Sequence, residues 1–249
     1  IAVMSNLQLI NLIKSGKQEP VKITFNSADR TNEDLIDKIS EKFEITEDEL
    51  EAFFEGETEI SKKYKLNEET LRCFFIPETY EMDWSTSLPE FMAKLEKTYN
   101  TFWTTERKQK AKACKLTTAE VVTLASIVQS ECSTIENEQK KIAGVYINRL
   151  AKNMALQADP TVIFAMGDFT KQRVWEKALD YDSPYNTYRN KGLPPGPICL
   201  VRTKVIDAVL NYEKNNYLYF CARPSLDGCS NYSCTYEQHL KYRDAYRKE

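Results

Sequence analysis

The chain has 249 residues, long enough for one large domain or two modest ones, each with a core of its own. Hydrophobic residues at 42% and charged residues at 29% set disorder aside, and at a net charge of −3 the short KQKAKACK (108–115) reads as a solvated helix end or connection, not a nucleic-acid footprint. No apolar run approaches the ~20 residues that cross a bilayer, and no signal peptide is visible.

The chain opens at IAVMSNLQL, partway into a helical pattern, and so reads as a fragment whose upstream targeting or anchoring segment is missing. SNLQLINLIKSG (5–16) has the spacing of an amphipathic helix ended by Gly16. VKITF alternates as a strand, NEDLIDKISEKF places Leu35, Ile36, Ile39 and Phe43 at helical spacing, and ITEDELEAFF opens a short helix. LRCFFIPETY predicts a strand running into a Pro turn. Residues 83–112 predict one long charged helical connection with Phe91, Leu95, Phe102 and Trp103 on its inner side. Two helices follow, about 117–132 and 136–152, then irregular chain dense in Pro, Asn, Thr and Tyr. A short strand YLYFCA (217–222) and a final helix from about 235 complete the reading. The fold class is α+β. Its expected parts are a small N-terminal module over 1–82, the connection over 83–112 and a mixed α+β unit with long ordered loops over 113–249.

One carboxylate is out of place. In LASIVQSECS (124–133), Glu131 projects about 20° from Leu124, about 40° from Ile127 and about 60° from Val128 on a helix. Thr117 and Glu120, three apart, read as the capping box that sets this register. Glu131 then points where the core should be, and burial would raise its pKa and hold its proton. Such a group is either a proton donor or the partner of a buried Arg such as Arg149.

Seven cysteines make an odd number, so at least one is unpaired within the chain. Cys221, Cys229, Cys234 and His239 share a short C-terminal stretch, but their spacing matches no common zinc module, and no metal or cofactor is expected. LQADPTVIFAMG (156–167) and SPYNTYRNKGLPPGPI (183–198) are long, proline-stiffened and rich in hydrogen-bonding and stacking side chains. Gln157, Asp159, Tyr185, Asn186, Thr187 and Tyr188 form a set suited to a sugar. The same residues also suit a rigid loop whose tyrosines pack inward.

LASIVQSE, GVYINRLAKNMALQADPTVIFAMG, SPYNTYRNKGLPPGPI and YLYF, in that order and preceded by FFIPETYE, closely resemble the endolytic murein transglycosylases, also called YceG-like proteins. The resemblance covers roughly residues 70–249 and continues more weakly into an N-terminal part similar to the family's LysM-like module. It implies cleavage of peptidoglycan glycan strands between N-acetylmuramic acid and N-acetylglucosamine, leaving 1,6-anhydro-muramoyl ends. It also implies an N-terminal helix in the inner membrane, with the catalytic part in the periplasm or on the outer side of the cytoplasmic membrane. Partners would be glycan strands and, in turn, cell-wall synthesis or division proteins. By motif, Glu131 takes the place of the catalytic Glu, and Asn148, Gln157, Asp159, Thr161, Tyr185, Asn186, Thr187 and Tyr188 would line the groove.

There are departures from the family pattern. Gln129 stands where a Glu is common, Ser230 where a His is common, and Val201 where a Pro follows GLPPGPI. His239 matches a later His of the family and suits a structural hydrogen bond. Two other activities fit the residues: a glycan hydrolase with Asp159 as second carboxylate, and a non-catalytic envelope scaffold that binds strands. The aminodeoxychorismate lyase label once attached to such proteins would need a buried Schiff-base Lys; Lys152 and Lys191 read as exposed, and that activity is rejected.

Overall fold

In the computed structural model, residues 5–7, 10, 14, 19–170, 175–225 and 227–247 are described. The helix expected over 5–16 falls largely outside them. Strand β1 (Val21–Thr24) pairs antiparallel with β2 (Thr79–Met82), Val21 opposite Met82 and Thr24 opposite Thr79. Between the two strands lie α1 (Asn32–Ser40), α2 (Glu47–Glu55) and α3 (Glu59–Tyr64). All three start at threonine caps, Thr31, Thr46 and Thr58, each closed by a reciprocal bond from the side chain three residues on. The helix α3 was not expected.

LRCFF is not a strand. Residues Leu71–Phe74 form a 3-10 turn, and the strand begins only at Thr79. The reason is tertiary. Arg72 is buried and donates to Asn32 Oδ1 at 2.8 Å and to the carbonyl of Pro197 at 3.0 Å, 125 residues away. The expected single connection over 83–112 is two helices, α4 (Leu88–Phe102) and α5 (Thr105–Ala113). Thr104 caps the second, its hydroxyl accepting from the Arg107 N–H at 3.3 Å. Phe91, Leu95, Phe102 and Trp103 are buried as their spacing requires.

The helix α6 (Thr118–Glu131) runs through the middle of the remaining chain. Its capping box forms as expected, Thr117 N–H donating to Glu120 Oε2 at 2.7 Å and Glu120 N–H to Thr117 Oγ1 at 3.1 Å. It is buried all round rather than along one face, every residue from Val121 to Gln129 lying inside. Helices α7 (Glu136–Ala151), α8 (Asp159–Met166) and α9 (Thr203–Leu210), with α5, pack around it. Its buried Ser126 is satisfied: Oγ donates to the Thr123 carbonyl and accepts from the Ile198 N–H. Strand β3 (Tyr219–Ala222) pairs antiparallel with β4 (Ser230–Ser233), and α10 (Tyr236–Arg247) packs on both. The fold is therefore α+β, mostly helical with two small sheets.

The buried side chains from Ile23 to Leu210 form one continuous cluster. The N-terminal part meets the rest closely at Gly196, where an added Cβ would stand 2.1 Å from the Glu69 carbonyl oxygen. Backbone cannot yield as a flexible side chain can. Gly196→Ala is expected to cost about 1–3 kcal/mol, the range for forced overpacking, read as a lower urea midpoint with an unchanged slope. All seven cysteines are unpaired. Among the described residues no helix is long and apolar enough to cross a membrane.

Candidate active site

Glu131 is the last residue of α6. Cys132 behind it is extended and closes the helix through its N–H to the Val128 carbonyl. The chain thus turns away and leaves the carboxyl group of Glu131 facing a hollow, half-buried in its wall. Glu131 Oε1 accepts from the Tyr146 hydroxyl at 2.9 Å. Tyr146 is buried on α7, its ring set edge-on to Phe220 at 5.9 Å.

Burial pushes the Glu131 carboxyl up to about 7; the Tyr146 hydrogen bond opposes this, the neighbouring Asp159 charge adds to it, and Arg149 opposes it. The carbonyl end of a helix also disfavours a negative charge. The group therefore carries its proton over most of the acidic range and exchanges it near neutrality. Tyr146→Phe removes a donor that favours the charged form. The midpoint of Glu131 titration, followed by carboxyl NMR or by the alkaline limb of a rate profile, should rise by about one pH unit.

Glu131 and Asp159 together line two adjoining lobes of the hollow, of ≈ 590 and ≈ 520 Å³. Asp159 opens α8 and is exposed, its Oδ1 accepting from the Tyr188 hydroxyl. Gln157, exposed beside it, sits at a left-handed φ of 53°, a conformation few non-glycine residues adopt. Its N–H donates to the Thr187 carbonyl at 3.1 Å and its Oε1 accepts from Arg149. Gln157, Asp159 and Tyr188 all line the second lobe with Glu131.

The other residues expected in the groove form its support. Thr161 and Thr187 are fully buried, their hydroxyls 2.8 Å apart, and Thr187 Oγ1 accepts from the Ala158 N–H. Asn186, also buried, donates to the Leu179 and Tyr181 carbonyls and accepts from the Tyr188 N–H, which folds the 179–188 loop. Tyr185 packs against Phe164 at 4.7 Å, and its hydroxyl accepts from Arg72. Asn148 faces away from both lobes; its amide donates to the carbonyls of Asn215 and Tyr217.

Sequence reasoning missed Tyr146 and assigned Arg149 only as a possible ion-pair partner. The two stand three apart on α7, hence on one face, which the quoted GVYINRL contains. Arg149 makes no hydrogen bond to Glu131. Instead its guanidinium donates to the carbonyls of Leu218, Ala155 and Leu156 and lies 5.2 Å from the Tyr219 ring centroid. Gln129, next to Glu131 in the first lobe, is committed: its amide donates to the Leu200 carbonyl and accepts from the Arg202 N–H. His239 and Ser230 line the second lobe. His239 stacks on Tyr219 at 5.4 Å, and its buried Nδ1 has no hydrogen-bond partner among the described residues, contrary to the structural bond expected of it. Burial, Arg149 and Arg243 hold this imidazole below its usual pKa.

The model of the YceG-like family matches residues 2–245. A Bacillus subtilis protein named endolytic murein transglycosylase is 39% identical over 171 residues, which is 68% of this chain and 46% of that protein. A Streptococcus pneumoniae protein of the same name is 34% identical over 154 residues, 59% of this chain and 27% of its own length. The chain thus spans less than half of either relative. The crystal structure of a yceG-like protein from Listeria monocytogenes superposes with a TM-score of 0.72 at 27% identity, covering 96% of this chain and 81% of that one.

Proposed function

The chain belongs to the YceG-like family, and from that premise we propose that it is an endolytic lytic transglycosylase acting on peptidoglycan glycan strands. The observation that carries this reading is one carboxyl group, Glu131, poised near neutrality where two lobes meet. A strand threaded through both lobes presents an internal glycosidic bond to it. Glu131 donates its proton to O4, the oxygen joining C1 of N-acetylmuramic acid to C4 of N-acetylglucosamine, and the C1–O4 bond breaks. The carboxylate left behind, held by the Tyr146 hydroxyl, takes the proton of the C6 hydroxyl as O6 closes on C1. One proton is given and one returned, no water is consumed, and the product is a 1,6-anhydro end. A single group with a raised pKa suits both steps.

Supporting the module assignment, 1–82 places helices between two antiparallel strands, an order consistent with a LysM-like unit ahead of the 83–112 connection and the 113–249 catalytic unit. The names of the relatives favour an envelope location; a place on the outer side of the cytoplasmic membrane, anchored there, among cell-wall synthesis or division proteins, belongs to the same proposal. The second reading, a hydrolase, rests on Asp159 sharing both lobes with Glu131. Mass spectrometry of digested peptidoglycan separates the two. Anhydro-muramoyl ends support the transglycosylase, reducing ends the hydrolase, and intact strands the binding scaffold. Asp159→Asn adds a second test. In the transglycosylase it removes a charge that raises the Glu131 pKa, so the alkaline limb of the rate profile moves to lower pH with cleavage retained. In the hydrolase it abolishes cleavage.

A further inference from the structure

The turn over residues 26–30 follows β1, far in sequence from Glu131, yet Ser27 and Arg30 form part of the wall of the first lobe. The turn closes on itself: Asn26 N–H donates to Asp29 Oδ2 and Ala28 N–H to Asn26 Oδ1, both at 2.8 Å. The remaining Asp29 oxygen is taken by Lys38, so that carboxylate is already matched. The Leu200 N–H donates to the Asp29 carbonyl at 3.0 Å, which docks the turn beside Cys199 and Arg202.

Arg30 is half-buried, its guanidinium 4.3 Å from the centroid of the Phe169 ring. Arg202, across the same lobe, donates to Gln129 Oε1 and to the Ser133 carbonyl, both neutral acceptors. Among the described residues no carboxylate lies at ion-pair distance from either arginine. The second lobe differs. Its one arginine, Arg149, spends its donors on backbone carbonyls, and its wall carries Tyr188, Tyr219 and Tyr236. The hollow therefore has one side with two arginines and one side with three tyrosines, with Glu131 and Asp159 lining both.

We propose that Arg30 and Arg202 form a carboxylate subsite that reads the muramoyl side of the strand. The planar Arg30 guanidinium can meet a carboxylate in a forked geometry that neutral sugar hydroxyls do not supply, and Arg202, whose Nε and Nη2 already donate, adds its charge and its Nη1. The anion is either the lactyl carboxylate of a bare muramic acid or a carboxylate on the peptide attached to it. The N-terminal part thus supplies a specificity residue, and the muramoyl residue on the reacting side lies in the first lobe. This inference rests on the transglycosylase reading for the identity of the strand.

The test compares three strands: bare ones with a lactyl carboxylate, peptide-bearing ones with free carboxylates, and peptide-bearing ones whose carboxylates are amidated. For each, kcat and KM are measured with this chain and with Arg30→Gln, and binding is measured by calorimetry on the Glu131→Gln background. A preference of about tenfold to hundredfold for a charged strand, expressed in KM and weakened by salt, is expected. Arg30→Gln should collapse that preference, and Arg30→Lys should restore part of it. Which charged strand is preferred identifies the source of the carboxylate. Equal KM and affinity for charged and amidated strands, or a preference that Arg30→Gln leaves intact, overturns the subsite while cleavage stands. Charge-dependent binding lost in Arg30→Gln, without cleavage of any strand, keeps the subsite and removes the transglycosylase.

Discussion

Glu131→Gln should lower strand cleavage about 10²- to 10⁴-fold, the usual contribution of a positioned proton donor, while making the protein more stable above neutral pH. The two effects share one cause. The folded-state carboxyl titrates at about 7 and the unfolded one near 4.5, so the folded protein binds more protons between those values. Stability then falls as pH rises through that window, and above pH 7 the full penalty of a buried charge is present. It is on the order of 3 kcal/mol. A glutamine does not ionise, and its amide oxygen can still accept from Tyr146. The variant should therefore match the parent below pH 4 and exceed its urea midpoint at pH 8. The same sign governs activity. The acid form donates the proton, so kcat/KM falls as pH rises through about 7.

Arg149→Met should cost about 3 kcal/mol and lower Tm by roughly 6–12 °C in a chain of this length. Arg149 links α7 to the carbonyls of Ala155, Leu156 and Leu218, and through Gln157 Oε1 to the lip of the second lobe. Methionine fills much of its volume but leaves those carbonyls short of a donor, at about 1–3 kcal/mol each. Relief of the desolvation that lowers the Arg149 pKa returns part of this, so the net is smaller than the sum. The loss should also be felt at Glu131. With the cation gone the carboxylate is less favoured, and the alkaline limb of the rate profile moves to higher pH. Thermal melting and a pH profile on the same variant check both parts.

The features legible in the sequence were those set by local chemistry. The Thr117–Glu120 box fixed the register of α6, and the 3.6-residue period then singled out Glu131 as a carboxylate among apolar neighbours. DPTVIFAM was less legible. Its Pro near the start and Gly167 just past the end, at φ 66°, are helix punctuation, but an apolar run shows no period. Thr104 offered a cap inside the supposed single connection, in a stretch where charge hid it. The Leu71–Phe74 turn could not be foreseen, since it depends on Arg72 reaching Pro197. At the site, Gln157, Asp159 and Tyr188 reach the hollow, whereas Asn186, Thr161 and Thr187 hold the loops behind it. A motif marks both kinds alike, because a loop that must present a few groups needs others to fix its path. Tyr146 and Arg30 reach the site through helix packing and a docked turn, which no local pattern encodes.

In the proposed reaction one carboxyl group, without a water nucleophile, breaks the strand. The most direct measurement is digestion in water enriched in oxygen-18, followed by mass spectrometry of the new muramoyl ends. Unlabelled 1,6-anhydro ends are expected, since O6 comes from the substrate itself. Reducing ends carrying one heavy oxygen would contradict that reaction and assign Asp159 the task of activating water.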